Sequence, residues 1–396
     1  MTAILGLMHL FPGRSICYSL VEKMSGPSGM RSQRPFPKTD AFLALVFVIF
    51  LPLSLDATET PATPSLQSFF QKGSVTIAVT DSGLGGLAVM AEAARRMKET
   101  GVFKKVNFVF FNALFSLAGG YNSLKTRKEK ILVFNSALES LEKNFHPDLI
   151  LIGCNTLSVL YEETAFSQGT KIPVVGIVEA GVELISRSLR DKPGSAVIIF
   201  ATPTTISEET HKKRLLEQGF AASRIIVQSC PELENYIEKD HTGDETEMLI
   251  SACVDEALQK MAAPRPPLYV SLNCTHFGYS LPLWEKAFQE AGVKPLGLLN
   301  PNSRMTDFLF RPDHLKRYER TEISARVLSM VEISREKIQS LGIWLQAVSP
   351  ETAAALSHYE YNTSLFEWKK KVSATQDIKA RSSPGGSLNS YFFFPL

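Results

Sequence analysis

LILIGCNTLS (149–158) and LYVSLNCTHF (268–277) are two apolar runs, each broken at a cysteine flanked by Asn, Thr or His. Each reads as a buried strand that delivers a thiol to its C-terminal end. Cys154 and Cys274 lie 120 residues apart. A second pair sits near the same offset. VTIAVTDSG (75–83) reaches Asp81, and AVIIFATPTT (196–205) reaches Thr202, 121 positions later. Two strand-and-polar-tip pairs at one offset point to a duplicated α/β unit, with one thiol from each half.

Working outward, strand and helix patterns alternate. After VTIAVT comes the turn DSGLGG (81–86), then a helical period over 87–100 and a strand at 106–113. A helix around 127–144 leads into the first cysteine strand. KIPVVGIVE (171–179) reads as a short strand and 181–190 as a helix. The second half repeats this, with a strand at AVIIFATP, one helix over 206–219, a strand at 224–230 and a helix at about 244–262. Such alternation implies a doubly wound parallel sheet with helices on both faces. Ligands bind such sheets at the C-terminal ends of the strands. Asp81, Cys154, Thr202 and Cys274 are all expected there.

The segment 297–345 includes further helix. The expected division is 72–175 plus about 297–345 as one domain and 176–296 as the second. Residues 1–70 read as an extension. Within it, AFLALVFVIFLPLSL (41–55) is an apolar run behind Arg31, Arg34 and Lys38, the layout of a signal peptide. It is short for a spanning helix, which needs about 20 apolar residues. The run implies export to the periplasm or, uncleaved, a membrane anchor; a start downstream of it implies a cytoplasmic protein. Residues 57–70 read as a linker and 375–396 as a disordered tail.

Composition narrows the function. A net charge of +2 gives no electrostatic case for nucleic acid. Five widely spaced cysteines are no disulfide framework. The absence of CxxC and HExxH pairs leaves a metal site without support. DSGLGG lacks the spacing of a dinucleotide or P-loop turn. Cys230 and Cys253 read as structural.

Either cysteine alone would read as a small buried hydrophobe. As a pair across a cleft, they suit inversion of a stereocentre: one thiolate removes an α-proton and the opposite thiol returns one. A cysteine at its ordinary pKa of about 8.5 needs help to ionise at neutral pH. Asp81 stands by the first thiol and His276 by the second. Ser82, Asn155, Thr156 and Thr275 are candidates for holding a substrate carboxylate.

Together these motifs resemble the glutamate racemase family, within the cofactor-independent aspartate/glutamate racemases. The resemblance spans roughly 74–310 and rests on DSGLGG (81–86), CNT (154–156), PVVGIVEAG (173–181), ATPTTISEETH (201–211), CPELENYIE (230–238) and CTH (274–276). It implies two pseudo-symmetric α/β domains with the active site in the cleft between them, no cofactor, and a homodimer. It also implies Cys154 and Cys274 as the acid/base pair assisted by Asp81 and His276, with Thr202 and Glu238 among the substrate contacts. The activity implied is conversion of L- to D-glutamate for peptidoglycan precursors. One motif departs. Where the family has a segment resembling DxARxPYGxKS, this chain has NALFSLAGGYNSLKTRKEK (112–130), in which only Tyr121 and Ser123 correspond. Asn300-Pro301 likewise stands where the family tends to have Asp. The alternatives are a superfamily relative with another substrate or reaction, and an exported binding protein of the same fold.

Overall fold

A computed structural model describes residues 66–369. The apolar run 41–55, the rest of the extension to residue 65 and the tail at 375–396 lie outside the described residues. Residues 66–70, expected to end a linker, belong instead to a helix, α1 (Leu66–Gln71). Phe69 anchors it against Phe103, with ring centroids 5.1 Å apart.

The chain continues through β1 (Ser74–Asp81), α2 (Leu87–Thr100), β2 (Lys105–Asn112), α3 (Arg127–Phe145), β3 (Leu149–Ile152), α4 (Asn155–Ser158), α5 (Ala165–Gly169) and β4 (Val174–Gly176). The plan then repeats. It runs α6 (Ile177–Asp191), β5 (Ala196–Ala201), α7 (Pro203–Glu208), α8 (Thr210–Glu217), β6 (Ile225–Ser229), α9 (Leu233–Lys239), α10 (Asp244–Gln259), β7 (Leu268–Leu272), α11 (Leu281–Glu290) and β8 (Gly297–Leu299). Finally β9 (Glu322–Ser329), α12 (Arg335–Val348), α13 (Pro350–Ser357) and β10 (Glu360–Tyr361) return to the first sheet.

Among the described residues the strands form two parallel sheets, β10-β9-β2-β1-β3-β4 and β6-β5-β7-β8. The order β2-β1-β3-β4 in one is the order β6-β5-β7-β8 in the other. The register makes the repeat exact at 120 residues: Thr80 pairs Ile152 as Phe200 pairs Leu272. The backbone bonds just beyond agree, since Gly153 N–H donates to the Thr80 carbonyl as Asn273 N–H does to that of Phe200. This shifts the expected match of Asp81 with Thr202 by one residue. Ala201 is the counterpart of Asp81, and Thr202 is the counterpart of Ser82.

The central strands β1, β3, β5 and β7 are buried on both faces, which is why they read as continuous apolar runs. On β1, Ile77 and Val79 enter a core shared with α2 and with Ile198 and Phe200 of β5. Ala78 faces the opposite way, into a core shared with α3. Val197 and Ile199 of β5 pack with Val182 and Ile185 of α6. One apolar core thus runs from the first sheet to the second and holds the two halves together.

Three elements differ from expectation. The strand at 171–179 pairs only over Val174–Gly176, opposite Ile150–Ile152, and α6 begins at Ile177, whose N–H donates to Ser158 Oγ. The helix over 206–219 is two helices, α7 and α8, broken at Glu209, which is left-handed at φ 56°. Within 297–345, residues 322–329 are a full strand, paired with β2 from Lys105↔Glu322 to Asn112↔Ser329. Glu209 yields a stability prediction. A non-glycine residue in this region is strained by roughly 1–2 kcal/mol, so Glu209→Gly should raise the unfolding free energy by about 1 kcal/mol. Urea denaturation would read it, and a loss of stability would show that the Glu209 side chain, not the backbone, sets the break.

Candidate active site

The parallel register carries Asp81, Ser82 and Cys154 to one sheet edge and Thr202 and Cys274 to the other. The two edges meet at the DSGLGG turn. A Cβ on Gly85 would lie 2.3 Å from Thr275 Oγ1 and 2.8 Å from the His276 nitrogen. On Gly83 it would lie 2.9 Å from Glu238 Oε1. Glycine is required there because the second half fills the space a side chain would take, with the Glu238 and His276 side chains at Gly83 and with Thr275 and the His276 side chain and backbone at Gly85.

A cavity of about 180 Å³ opens at this junction, lined by both cysteines together with Asp81, Ser82, Asn155, Thr156, Thr202, Thr275, His276, Glu238 and Tyr121. Drug-sized ligands occupy roughly 300–1,000 Å³, so this space suits a metabolite of amino-acid size. Of the residues expected at the site, only Ser123 stays outside it. Its hydroxyl donates to the Gly120 carbonyl at 2.7 Å and closes the turn instead. A larger cavity of about 1110 Å³, lined in part by Glu92, Leu281, Glu285 and Trp344, contains neither thiol.

The two thiols have different surroundings. Cys154 caps α4, accepting from Leu157 N–H at 3.4 Å, and lies 3.2 Å from Ser82 Oγ. Burial pushes this thiol far up, the Asp81 carboxylate adds to that, and Ser82 and Leu157 oppose it. Asp81 is itself raised by burial, against the pull of His276, the Thr275 hydroxyl and Cys154. Thr275 Oγ1 donates to Asp81 Oδ2 at 2.8 Å, so the carboxylate is fixed from across the junction.

Cys274 Sγ lies 3.6 Å from His276 Nδ1, and His276 Nε2 lies 2.7 Å from Glu238 Oε1. Lys337 Nζ donates to Glu238 Oε2 at 2.6 Å and Leu84 N–H donates to Oε1 at 2.8 Å. Burial would raise Glu238, yet His276 and Lys337 hold it at about 2. Burial would lower His276, yet its bonds to Cys274 and Glu238 raise it well above the ordinary histidine value. His276 thus stands between a carboxylate and a sulfur, both of which favour its protonated form. Burial raises Cys274, and His276 pulls it back down. Glu238, expected among the substrate contacts, is thus engaged by three protein donors.

Thr156, Thr202 and Thr205 form a hydroxyl triangle with 3.1 Å sides. Around the cavity, Asn155 Oδ1 and Nδ2, Tyr121 Oη, Asn273 Nδ2 and Glu234 Oε2 are buried with no protein hydrogen-bond partner. Buried polar atoms are ordinarily paired, so these are the atoms available to a bound molecule. Thr205, Glu234, Asn273 and Lys337 were not among the expected site residues. Asn273 was legible, since it directly precedes Cys274. Lys337 carried no local signal, because α12 brings it in from 61 residues beyond His276.

Glu238 generates a pH prediction. Its folded pKa is depressed from 4.5 to about 2, so its contribution to stability is complete above pH 4.5 and is lost as the pH falls towards 2. The destabilisation caused by Glu238→Gln should therefore be several kcal/mol at pH 7 and shrink through that acid window. A difference that stays constant in urea titrations from pH 7 down to 3 would contradict the arrangement.

Over residues 85–294 the chain matches the Asp/Glu/Hydantoin racemase family. It is 32% identical to the glutamate racemase of Campylobacter jejuni over 237 residues, 59% of this chain and 84% of that protein. Among solved structures, the glutamate racemase of Campylobacter jejuni subsp. jejuni superposes with a TM-score of 0.51 at 23% identity, covering 68% of this chain and 98% of that one. The glutamate racemase of Francisella tularensis, solved in complex with D-glutamate, superposes with a TM-score of 0.51 at 20% identity, covering 69% and 95%. The chain therefore belongs to the glutamate racemase family, within the Asp/Glu/Hydantoin racemases, and is an isomerase of the amino-acid racemase class.

Proposed function

We propose that this chain interconverts L- and D-glutamate by two-base proton transfer between Cys154 and Cys274, and supplies D-glutamate for cell-wall precursors. The observation that carries the reading is the pair of thiols on one small cavity, each with its own proton partner. In one direction a cysteine thiolate takes the α-proton and becomes a thiol. The electron pair passes to the α-carbon and its carboxylate, and the opposite thiol protonates the other face and becomes a thiolate. Atoms and charge balance, and the reverse reaction starts from the product's protonation state.

The two arms support this in different ways. In the direction where Cys154 is the base, Asp81, with its proton affinity raised by burial, accepts the proton of that thiol. The His276 imidazolium stabilises the Cys274 thiolate by a charge-assisted contact. The unpartnered Asn155 amide and the threonine triangle supply donors for the α-carboxylate, whose charge grows as the proton leaves. The Francisella tularensis relative was solved with D-glutamate, which supports glutamate as the substrate.

A second reading concerns the substrate alone. Leu114 and Leu117 line the cavity in the segment that departs from the family pattern, which favours a less polar side chain than that of glutamate.

The test incubates the protein under reductant in deuterium oxide with L- and D-glutamate, then with neutral amino acids. Proton NMR reads α-exchange and chiral chromatography reads inversion. Exchange with inversion is expected on glutamate. Cys154→Ser and Cys274→Ser should each slow racemisation by at least about a hundred-fold. The enantiomer that still exchanges its α-proton should differ between the two variants. Full racemisation by either variant would remove the mechanism, and inversion of neutral amino acids alone would select the second reading.

A further inference from the structure

The wall of the cavity over Cys154 is built from residues 113–121, which form no helix or strand until a short turn at Gly120–Ser123. Its own hydrogen bonds are mostly local. Leu114 N–H donates to Asn112 Oδ1, Ala118 N–H to Ser116 Oγ, and Asn122 and Ser123 N–H to the Gly119 carbonyl. Gly119 and Gly120 are both left-handed, at φ 88° and 49°. Two longer-range bonds tie its ends, Ala113 N–H to the Asp81 carbonyl at 2.7 Å and Thr204 Oγ1 to Asn122 Oδ1 at 2.8 Å, so between them the position of the wall rests on how Phe115 and Tyr121 pack.

An anchor comes from the far end of the described chain. After β10 the chain crosses α3, where Ser136 Oγ donates to the Glu367 carbonyl at 2.7 Å and Ser140 Oγ to that of Leu365. Leu365 and Phe366 are buried, Phe366 with its ring centroid 5.9 Å from that of Phe111. The crossing ends with Trp368 against Phe115, centroids 4.7 Å apart. Phe115 in turn meets Tyr121 edge-on at 5.2 Å. Tyr121 is 3% exposed and lines the cavity, and its hydroxyl is buried with no protein partner. Three aromatic rings thus link the C-terminal segment to the polar wall of the site. Aromatic pairs attract beyond their buried area, so these contacts bias the position of the wall.

We propose that Trp368 is a positioning residue for substrate binding: through Phe115 it holds Tyr121 and the 113–121 wall against the Cys154 side of the cavity. Trp368 touches neither thiol nor cavity, so its effect falls on how well the wall is formed and not on the proton-transferring groups. The kinetic part of this inference rests on the racemase reading above; the thiol-reactivity part does not.

The test compares the full chain with Trp368→Ala and Trp368→Phe. The alanine variant should raise KM for glutamate about tenfold while kcat stays within about threefold, and the phenylalanine variant should restore most of the loss. In parallel, the variants are alkylated with iodoacetamide in the absence of substrate, and each cysteine peptide is quantified by mass spectrometry over time. Cys154 should react several-fold faster in Trp368→Ala, with Cys274 unchanged and Cys230 and Cys253 as buried references. A fall in melting temperature with KM and Cys154 reactivity unchanged would overturn the proposal and leave Trp368 a stabilising residue only. Equal acceleration of both catalytic-site cysteines would overturn it too, as general loosening. If the protein racemises no glutamate, the racemase reading fails and the alkylation ratio alone decides the role of Trp368.

Discussion

The carboxylate of Glu238 is the tie on which the site depends. It is 4% exposed and accepts from three parts of the chain: the Leu84 amide in the first glycine turn, His276 beyond the second cysteine strand, and Lys337 on α12. A charge taken out of water is tolerated only when such donors replace the solvent. Each donor is held in turn by the core that runs between the sheets. Gly83 and Gly85 make the contact reachable, since any side chain there would push the two halves apart. Packing, glycine placement and charge pairing therefore meet at one point, and the cavity lies beside it.

The repeat gives the halves the same strand order but not the same chemistry. At equivalent positions beyond β3 and β7, Asn155 and Thr156 stand where the second half has Thr275 and His276. The first thiol consequently sits with a carboxylate and a serine hydroxyl, the second with a histidine backed by a carboxylate and a lysine. Burial and the Asp81 carboxylate hold the proton on the first thiol, whereas His276 opposes the effect of burial on the second.

Much of this was legible in the chain. Continuous apolar runs ending in polar tips marked the strands at 75–81, 149–152, 196–201 and 268–272, because strands buried on both faces leave no polar alternation to confuse the reading. The cysteines, Asp81 and His276 followed from their places at those tips. Other features were out of reach for physical reasons. β9 carries Glu322, Ser324 and Arg326 on a half-exposed run, and its partner β2 lies 217 residues away. Lys337 looks like any charged residue on an amphipathic helix until packing points it at Glu238. The break at Glu209 has no glycine or proline to announce it. The donors around Glu238 were not legible either, because a motif shows that an acid is present and not what surrounds it.

The distance between β2 and β9 also has a consequence for the order in which the protein is made. β2 has β1 on one side, but its other edge is unpaired until Glu322–Ser329 has been synthesised. All four strands of the second sheet precede that point, so the second half can reach its pairing while the first still shows an open edge. Contacts this remote in sequence slow folding, and open edges invite pairing with other chains. The nascent chain is therefore most exposed to misassociation during the interval in which its second half is already complete.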